Sequence, residues 1–218
     1  MASRTLDRAV KRVLHPADLA PALEADKDGA IWQRKLPNRV CEWLNALPAH
    51  ALPEGRFILR PAQVMACVET AFAQAGHAAS PARTWLSEDA HRLAHSLTTD
   101  QPADLVRLRL EPVFDNACSK FHIDTVTSRL ICTYRGPGTQ ITLVDAHAAN
   151  AIDTDQILTV ETGAPILLKG KQWPQAASVR LKHRSPPIEG TGHVRLLLVI
   201  EAVTADDFMP NYDTVFAP

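Results

Sequence analysis

The fold class of this chain is indicated by the stretch Val106-Arg107-Leu108-Arg109-Leu110, in which apolar and basic side chains alternate. Alternation of this kind is typical of a β-strand that buries one face and leaves the other in water. Turn residues such as Gly136-Pro137-Gly138 divide the sequence after it into short segments, and several short strands without long helices between them predict an antiparallel sandwich or barrel. The further strand candidates are Lys120–Asp124, Arg129–Tyr134, Gln140–Val144, Pro165–Leu168, Val179–His183 and Val194–Val203.

The sequence before this stretch has a helical period, which predicts an α+β protein. A helix is predicted from Pro81 to Leu97, because Ser80 is a favourable N-cap and proline is favoured at the first helical position. The alanine-rich segment Pro61–Ala75 is a second helix candidate, and residues 57–59 are a candidate for a short strand. The expected regions are a helical one over residues 1–101, a β region over 102–205 and an irregular tail over 206–218.

Charge and composition argue against several classes of protein. The 218 residues include 23 basic and 24 acidic side chains, so the formal net charge is −1. Nucleic-acid binding is not expected, because it needs a clustered basic surface. Residues 1–8 lack the apolar centre of a signal peptide, and no apolar run approaches the ~20 residues of a membrane span, so we expect a cytoplasmic protein without membrane association. The four cysteines form no CxxC pair, which argues against thiol-rich zinc motifs.

Two histidines, a carboxylate and an arginine in the β region are candidates for a metal site. His122 and Asp124 lie two residues apart in a strand candidate, so their side chains are expected on one face. His183 ends an inward-facing row on another candidate strand, where it could meet them. Two imidazoles and one carboxylate match the facial triad that binds non-haem iron(II) and leaves coordination positions open. Arg195 interrupts an apolar strand, and a buried arginine is costly unless a carboxylate or phosphate answers it.

The order of these motifs resembles the iron(II)/2-oxoglutarate-dependent dioxygenases, whose fold is a double-stranded β-helix, or jelly roll. The resemblance covers about residues 105–203 and does not extend to the helical half. It implies a helical N-terminal region packed on a jelly roll, with a divalent metal and 2-oxoglutarate as cofactors. The residues it implies are His122, Asp124 and His183 as metal ligands, Arg195 as the partner of the distal carboxylate of 2-oxoglutarate, and Tyr134 near this co-substrate.

A second set of motifs resembles a bacterial family known only as a domain of unknown function. Its members tend to be associated with zinc-limitation genes and metal-chaperone GTPases. The resemblance therefore implies a role in zinc homeostasis and a metal-chaperone GTPase as a partner. The motifs that carry it are Cys118-x3-His122-x-Asp124, Thr133-Tyr134-Arg135-Gly136-Pro137-Gly138-Thr139, Leu168-Lys169-Gly170-x2-Trp173-Pro174 and His183-Arg184-Ser185-Pro186.

The ligand set and the metal have alternatives. Cys118 is a possible additional ligand, and His193, two residues before Arg195, is a rival for the third position. A thiolate or a fourth protein ligand would favour zinc over iron, and four protein ligands would close the site. Two further alternatives are that Arg195 forms an ordinary ion pair with Glu201 or Asp145 and that Tyr134 is a core residue.

Three functions follow from these interpretations. The leading hypothesis is an oxygenase that uses iron(II) and 2-oxoglutarate on a small-molecule or protein substrate that the sequence does not identify. The second is a non-catalytic zinc-binding protein in which Cys118 or His193 completes the ligand set. The third is a degenerate β-helix that serves as an interaction scaffold.

Overall fold

The computed structural model describes residues 3–24, 27–98, 103–116, 118–144, 156–174 and 179–203. The longest helix begins after Ser80, whose side-chain oxygen accepts a hydrogen bond from the backbone N–H of Arg83 at 3.3 Å, as predicted for an N-cap. No helix in these ranges is both long enough and apolar enough to cross a membrane. The helices are α1 (Ser3–Ala9), α2 (Leu19–Glu24), α3 (Asn38–Ala46), α4 (Val64–Gln74) and α5 (Pro81–Thr98).

The strands form one large sheet and one small sheet. They are β1 (Val10–Val13), β2 (Gly29–Trp32), β3 (Gly55–Leu59), β4 (Leu105–Val113), β5 (Ser128–Arg135), β6 (Gln140–Leu143), β7 (Leu158–Thr159), β8 (Ile166–Lys169), β9 (Leu181–Arg184) and β10 (Arg195–Val203). The major sheet has the strand order β1-β2-β8-β5-β10-β4-β3, and the minor sheet has the order β7-β6-β9. The strand pairs are antiparallel except β1 with β2.

The two faces of the major sheet belong to two separate apolar cores, because side chains alternate along each strand. On β10, Leu198 and Ile200 face the helices and pack in a core that includes Phe72 of α4. Leu197 and Val199 face the minor sheet and pack in the second core. A helical layer therefore covers one face of the major sheet and the minor sheet covers the other, which confirms the predicted α+β architecture.

Two segments differ from the sequence-based expectations. The N-terminal region is not only helical, since it supplies β1, β2 and β3, of which the sequence indicated only β3. The predicted strand Lys120–Asp124 does not form, and only His122 makes an isolated bridge, with His183. The carbonyl of Asp124 instead accepts a hydrogen bond from the N–H of Lys171 in the loop after β8, so the chain leaves the edge of β9 soon after this bridge. The division at residue 101 stays a prediction, and the predicted tail over 206–218 lies outside the described residues.

Candidate metal centre

The three predicted ligands come together where the loop after β4 meets β9. His122 and His183 are joined through their backbones, since the N–H of each donates to the carbonyl of the other at 3.0 Å. This pairing sets the two imidazole rings 4.5 Å apart between centroids. The backbone carbonyl of Asp124 is held separately, by a hydrogen bond from the N–H of Lys171 at 2.8 Å. The loop is thus fixed on both sides of the His-x-Asp motif.

The side chains of the triad converge on one point. Nε2 of His122 lies 3.4 Å from Oδ1 of Asp124, and Nε2 of His183 lies 3.0 Å from Oδ2. One nitrogen or oxygen atom of each residue falls within 4.8 Å of the others. The side chain of His183 is 7% exposed and that of Asp124 is 11% exposed, so a bound ion would be shielded from water on the protein side.

The donor chemistry of the triad fits a divalent transition metal. Nδ1 of His122 lies 2.8 Å from the carbonyl oxygen of Lys120, an acceptor that places the ring proton on Nδ1 and leaves the Nε2 lone pair free. Oδ2 of Asp124 is buried and accepts no hydrogen bond from the described residues. Nε2 of His183 lies 3.0 Å from it, but the orientation of the ring does not give a hydrogen bond. A buried carboxylate oxygen without a donor is costly unless a cation approaches it. Two imidazoles and one such oxygen are the ligands expected for iron(II) or zinc.

An ionised aspartate is favoured at this position. Burial alone would raise the pKa of Asp124, but polar contacts with His122 and His183 and the charge of Arg129 lower it well below its ordinary value. Nη1 of Arg129 lies 2.5 Å from Oδ1 of Asp124. The contact with Asp124 in turn raises the pKa of His122, against the effect of burial. The carboxylate is therefore available as an anionic ligand over the physiological pH range.

Arg195 is completely buried at the start of β10 and has only uncharged partners among the described residues. Burial lowers its pKa to about 10, since no carboxylate compensates the charge. The alternative ion pair with Glu201 does not form, because that carboxylate binds Arg107 and Arg129; Asp145 lies outside the described residues. The partners of Arg195 are the carbonyl of Pro137 at 2.7 Å and the hydroxyls of Ser185 at 2.6 Å, Thr133 at 3.3 Å and Thr139 at 3.3 Å.

A cavity of about 120 Å³ lies beside the triad. Both histidines line it, as do Ser185 and Thr139, which are hydrogen-bond partners of Arg195. Its apolar wall comes from the core between the sheets and consists of Val113, Ile131, Leu197 and Val199. A larger cavity of about 370 Å³ lies elsewhere, beside Arg12 and Lys35, and no member of the triad lines it. Of these two cavities, the smaller adjoins the triad.

The two additional ligand candidates are not part of the triad cluster. Cys118 lines the cavity and has an exposed side chain, but its thiol is not among the ligand atoms that converge with those of Asp124. His193 lies before the first residue of β10 and is exposed, so it does not share a strand face with Arg195 as predicted. Within the described ranges, the cluster consists of two histidines and one aspartate.

Tyr134 does not lie where a co-substrate residue was expected. It faces the helices, on the opposite side of β5 from the cavity, and its hydroxyl donates to Oδ2 of Asp89 at 2.8 Å. The pairing of β5 with β10 shifts by one residue here, so Leu197 pairs with Thr133 and Leu196 with Arg135. The alternation of β5 directs Tyr134 into the helix-facing core, and a contact with the co-substrate is therefore not supported.

Sequence reasoning missed four residues that complete the site. Arg129 contacts a predicted ligand, and the hydroxyls of Thr133, Thr139 and Ser185 surround Arg195. A partial signal for Arg129 is present, because it is a basic residue on the same strand face as the apolar Ile131. The hydroxyl residues carry no such signal, since serine and threonine are common near turns.

The comparison with protein families gives one match that spans most of the chain. Residues 14–201 match a family described as a protein of unknown function, DUF1826. No curated protein matches this chain.

The solved structures of similar shape include two dioxygenases and a hydroxylase. The dioxygenase for auxin oxidation 1 from Arabidopsis thaliana, in complex with 2-oxoglutarate, aligns with a TM-score of 0.52 and 9% identity over 92% of this chain and 94% of that one. The rice dioxygenase for auxin oxidation aligns with a TM-score of 0.48 and 16% identity, over 94% of this chain and 79% of that one. A Pseudomonas putida prolyl-4-hydroxylase aligns with a TM-score of 0.44 and 14% identity, over 87% of this chain and 99% of that one. The likeness to the Arabidopsis protein confirms the jelly-roll fold predicted for the β region.

Proposed function

We propose that this chain, which belongs to the DUF1826 family of proteins of unknown function, is an iron(II)/2-oxoglutarate-type oxygenase. His122, Asp124 and His183 would hold the metal, and Arg195 would bind the distal carboxylate of 2-oxoglutarate. The observation that carries the proposal is the buried guanidinium of Arg195, which has hydroxyl and carbonyl partners but no carboxylate among the described residues. A dianionic co-substrate supplies the missing charge.

The protein's own residues would position the metal ligands and the co-substrate and would shield the cavity from water. The carbonyl of Lys120 holds the ring of His122 with its Nε2 near Oδ1 of Asp124. The hydroxyl of Ser185 fixes one arm of the Arg195 guanidinium at 2.6 Å, so the site for a carboxylate is arranged before binding. Apolar side chains such as Leu197 and Val199 exclude water from the cavity wall. When bound, iron(II) and 2-oxoglutarate would supply the activation of dioxygen.

An anaerobic titration with iron(II) and 2-oxoglutarate tests this function. A weak visible charge-transfer band is expected when both are present and not with either alone. Turnover of 2-oxoglutarate in air is the matching activity readout, and Arg195→Met is the matched variant, since it keeps the triad and removes the carboxylate partner. Absence of the band together with absence of turnover in the unsubstituted protein would contradict the oxygenase proposal.

A non-catalytic zinc protein is the second candidate, and the position of Cys118 favours it. The exposed thiol lines the same cavity as both histidines, so a possible fourth ligand lies beside the proposed metal site. A role in zinc homeostasis and a metal-chaperone GTPase partner would accompany this function.

Alkylation of Cys118 by iodoacetamide separates the two candidates. If zinc binds through the thiol, one equivalent of zinc protects Cys118 from reaction, and Cys118→Ser weakens zinc binding. If the oxygenase proposal holds, manganese(II) with 2-oxoglutarate binds equally well in Cys118→Ser and in the unsubstituted protein.

A further inference from the structure

Arg129 connects the proposed metal ligand Asp124 to a second buried carboxylate. Nε of Arg129 donates to Oε1 of Glu201 at 2.8 Å, while its Nη1 lies 2.5 Å from Oδ1 of Asp124. Glu201 also accepts from Nη1 of Arg107 at 3.0 Å. Charges therefore alternate along a series from Arg107 through Glu201 and Arg129 to Asp124, which we term the charge series.

Arg107, at the outer end of the charge series, is its most exposed member. Arg107 is 43% exposed, whereas the side chains of Arg129 and Glu201 are 18% and 6% exposed. A buried guanidinium with two carboxylate partners is held in one orientation, because each branch of its planar fork is occupied. Arg129 is thus a rigid donor aimed at one particular oxygen of Asp124.

The two oxygens of Asp124 differ as a result. Oδ1 carries the ion pair with Arg129, whereas Oδ2 is buried beside His183 without a hydrogen bond. A free carboxylate can bind a metal through both oxygens, which uses one more coordination position. A carboxylate with one oxygen occupied by arginine offers only the other.

We propose that Arg129 is a positioning residue that reserves Oδ1 of Asp124, so that this ligand binds the metal through Oδ2 alone. The inference rests on the proposed metal centre and adds a specific role for Arg129 within it. A single-oxygen ligand keeps open the positions that a co-substrate needs. Glu201 holds Arg129 in place, and Arg107, which does not contact Asp124, contributes only through Glu201.

Metal affinity tests the proposal without requiring activity. Manganese(II) binding is measured by calorimetry in Asp124→Ala, Arg129→Gln, Arg129→Lys, Glu201→Gln and Arg107→Gln, with folding of each metal-free variant checked by circular dichroism. Loss of an outer partner of a metal ligand typically weakens binding about 10–100-fold. We expect a loss of this order for Arg129→Gln, a smaller loss for Glu201→Gln, and a change of less than about twofold for Arg107→Gln.

Cobalt(II) absorption provides a second readout, which a purely structural role would not change. In Arg129→Gln the released Oδ1 should join the ligand set and shift the visible bands, whereas Arg107→Gln should keep the spectrum of the unsubstituted protein. If Arg129→Gln does not fold, Arg129→Lys and Glu201→Gln carry the same test with the charge or the shape retained.

The outcomes separate this inference from the proposed function. Undiminished manganese(II) binding in Asp124→Ala would overturn the metal centre itself. Loss of binding in Asp124→Ala, with binding and cobalt spectrum both unchanged in folded Arg129 variants, would overturn only the role of Arg129. Equal losses in Arg129→Gln and Arg107→Gln would overturn it as well, because Arg107 does not contact Asp124.

Discussion

Arg34 and Arg195 lie against opposite faces of the major sheet, and the partners of these two arginines differ. On the helix-facing side, Arg34 forms a two-point ion pair with Asp89, which also accepts from the hydroxyl of Tyr134. Burial alone would lower the pKa of Arg34, but the hydrogen bonds with Asp89 raise it above its ordinary value. On the cavity side, Arg195 has no carboxylate among the described residues, and burial lowers its pKa to about 10.

This difference separates a structural polar network from a binding site. The network of Arg34, Asp89 and Tyr134 is complete within the protein, so it joins the helical layer to the sheet and needs no ligand. The cavity side contains a guanidinium without an anion and a carboxylate oxygen without a donor, Oδ2 of Asp124. Incomplete buried polar groups persist where a ligand completes them.

The largest effect is expected from breaking the complete network. Asp89→Ala leaves Arg34 buried without its partner, and removing one member of a buried ion pair typically costs about 3–5 kcal/mol in the free energy of unfolding. Urea denaturation of the metal-free protein measures this loss. Manganese(II) affinity should stay unchanged in the folded variant, and a stability loss below about 1 kcal/mol would show that the network is not structural.

A smaller free-energy change is expected from removing a metal ligand, and it is a change in the free energy of metal binding. His183→Ala removes a ligand, so manganese(II) affinity should fall at least about 100-fold, the upper end for loss of an outer partner. Calorimetry measures the affinity, and His193→Ala is the matched control, because that histidine is exposed outside the cluster. Equal losses in both variants would contradict the assignment of the ligands.

Stabilisation by 2-oxoglutarate tests the arginine on the cavity side. At 100 times its dissociation constant, a ligand specific for the native state adds about 2.7 kcal/mol to the free energy of unfolding. With manganese(II) present, this increase is expected in the unsubstituted protein and should be absent in Arg195→Met. Without ligands, Arg195→Met should destabilise less than Asp89→Ala, since it removes an uncompensated charge. Urea denaturation with and without 2-oxoglutarate measures the stabilisation by the ligand and the stability of each protein without it. Equal stabilisation of Arg195→Met and the unsubstituted protein would contradict the role of Arg195.

The smallest effect is expected from an exposed ion pair of the same sheet. Arg56 is 59% exposed and lies 3.2 Å from Glu111. Pairs of this kind contribute about 0.2–1 kcal/mol, so Arg56→Gln should change the free energy of unfolding by no more than that. The pair should also weaken with added salt. A loss comparable to that of Asp89→Ala would show that burial does not explain the difference between the networks.

Most of the β region could be predicted from alternation in the sequence. Candidate strands near β4, β5, β6, β8, β9 and β10 agree with the structure to within two residues at most ends. β1 and β2 gave no such signal, because Val10-Lys11-Arg12-Val13 does not alternate and β2, Gly29-Ala30-Ile31-Trp32, is placed by its pairing with the distant β8. Local periodicity does not contain that information.

The candidate ligands could likewise be found as residue types at particular positions, but not as a site. The His-x-Asp motif, His183 and Arg195 are visible in the sequence, whereas the alternation of β5 that turns Tyr134 away from the cavity depends on which face the helices cover. Arg129 became a site residue only through its contacts with Asp124 and Glu201, the latter 72 residues away in sequence.

The sequence by itself determined the chemistry available to this protein, namely two imidazoles, a carboxylate and an arginine within the region of period-two alternation. The tertiary structure decided which polar groups are satisfied. Arg34 meets Asp89 across 55 residues of sequence, whereas the partners of Arg195 among the described residues are hydroxyl and carbonyl groups. The reason is physical: the cost of burying a charge depends on the atoms that surround it, and packing of distant segments brings those atoms together.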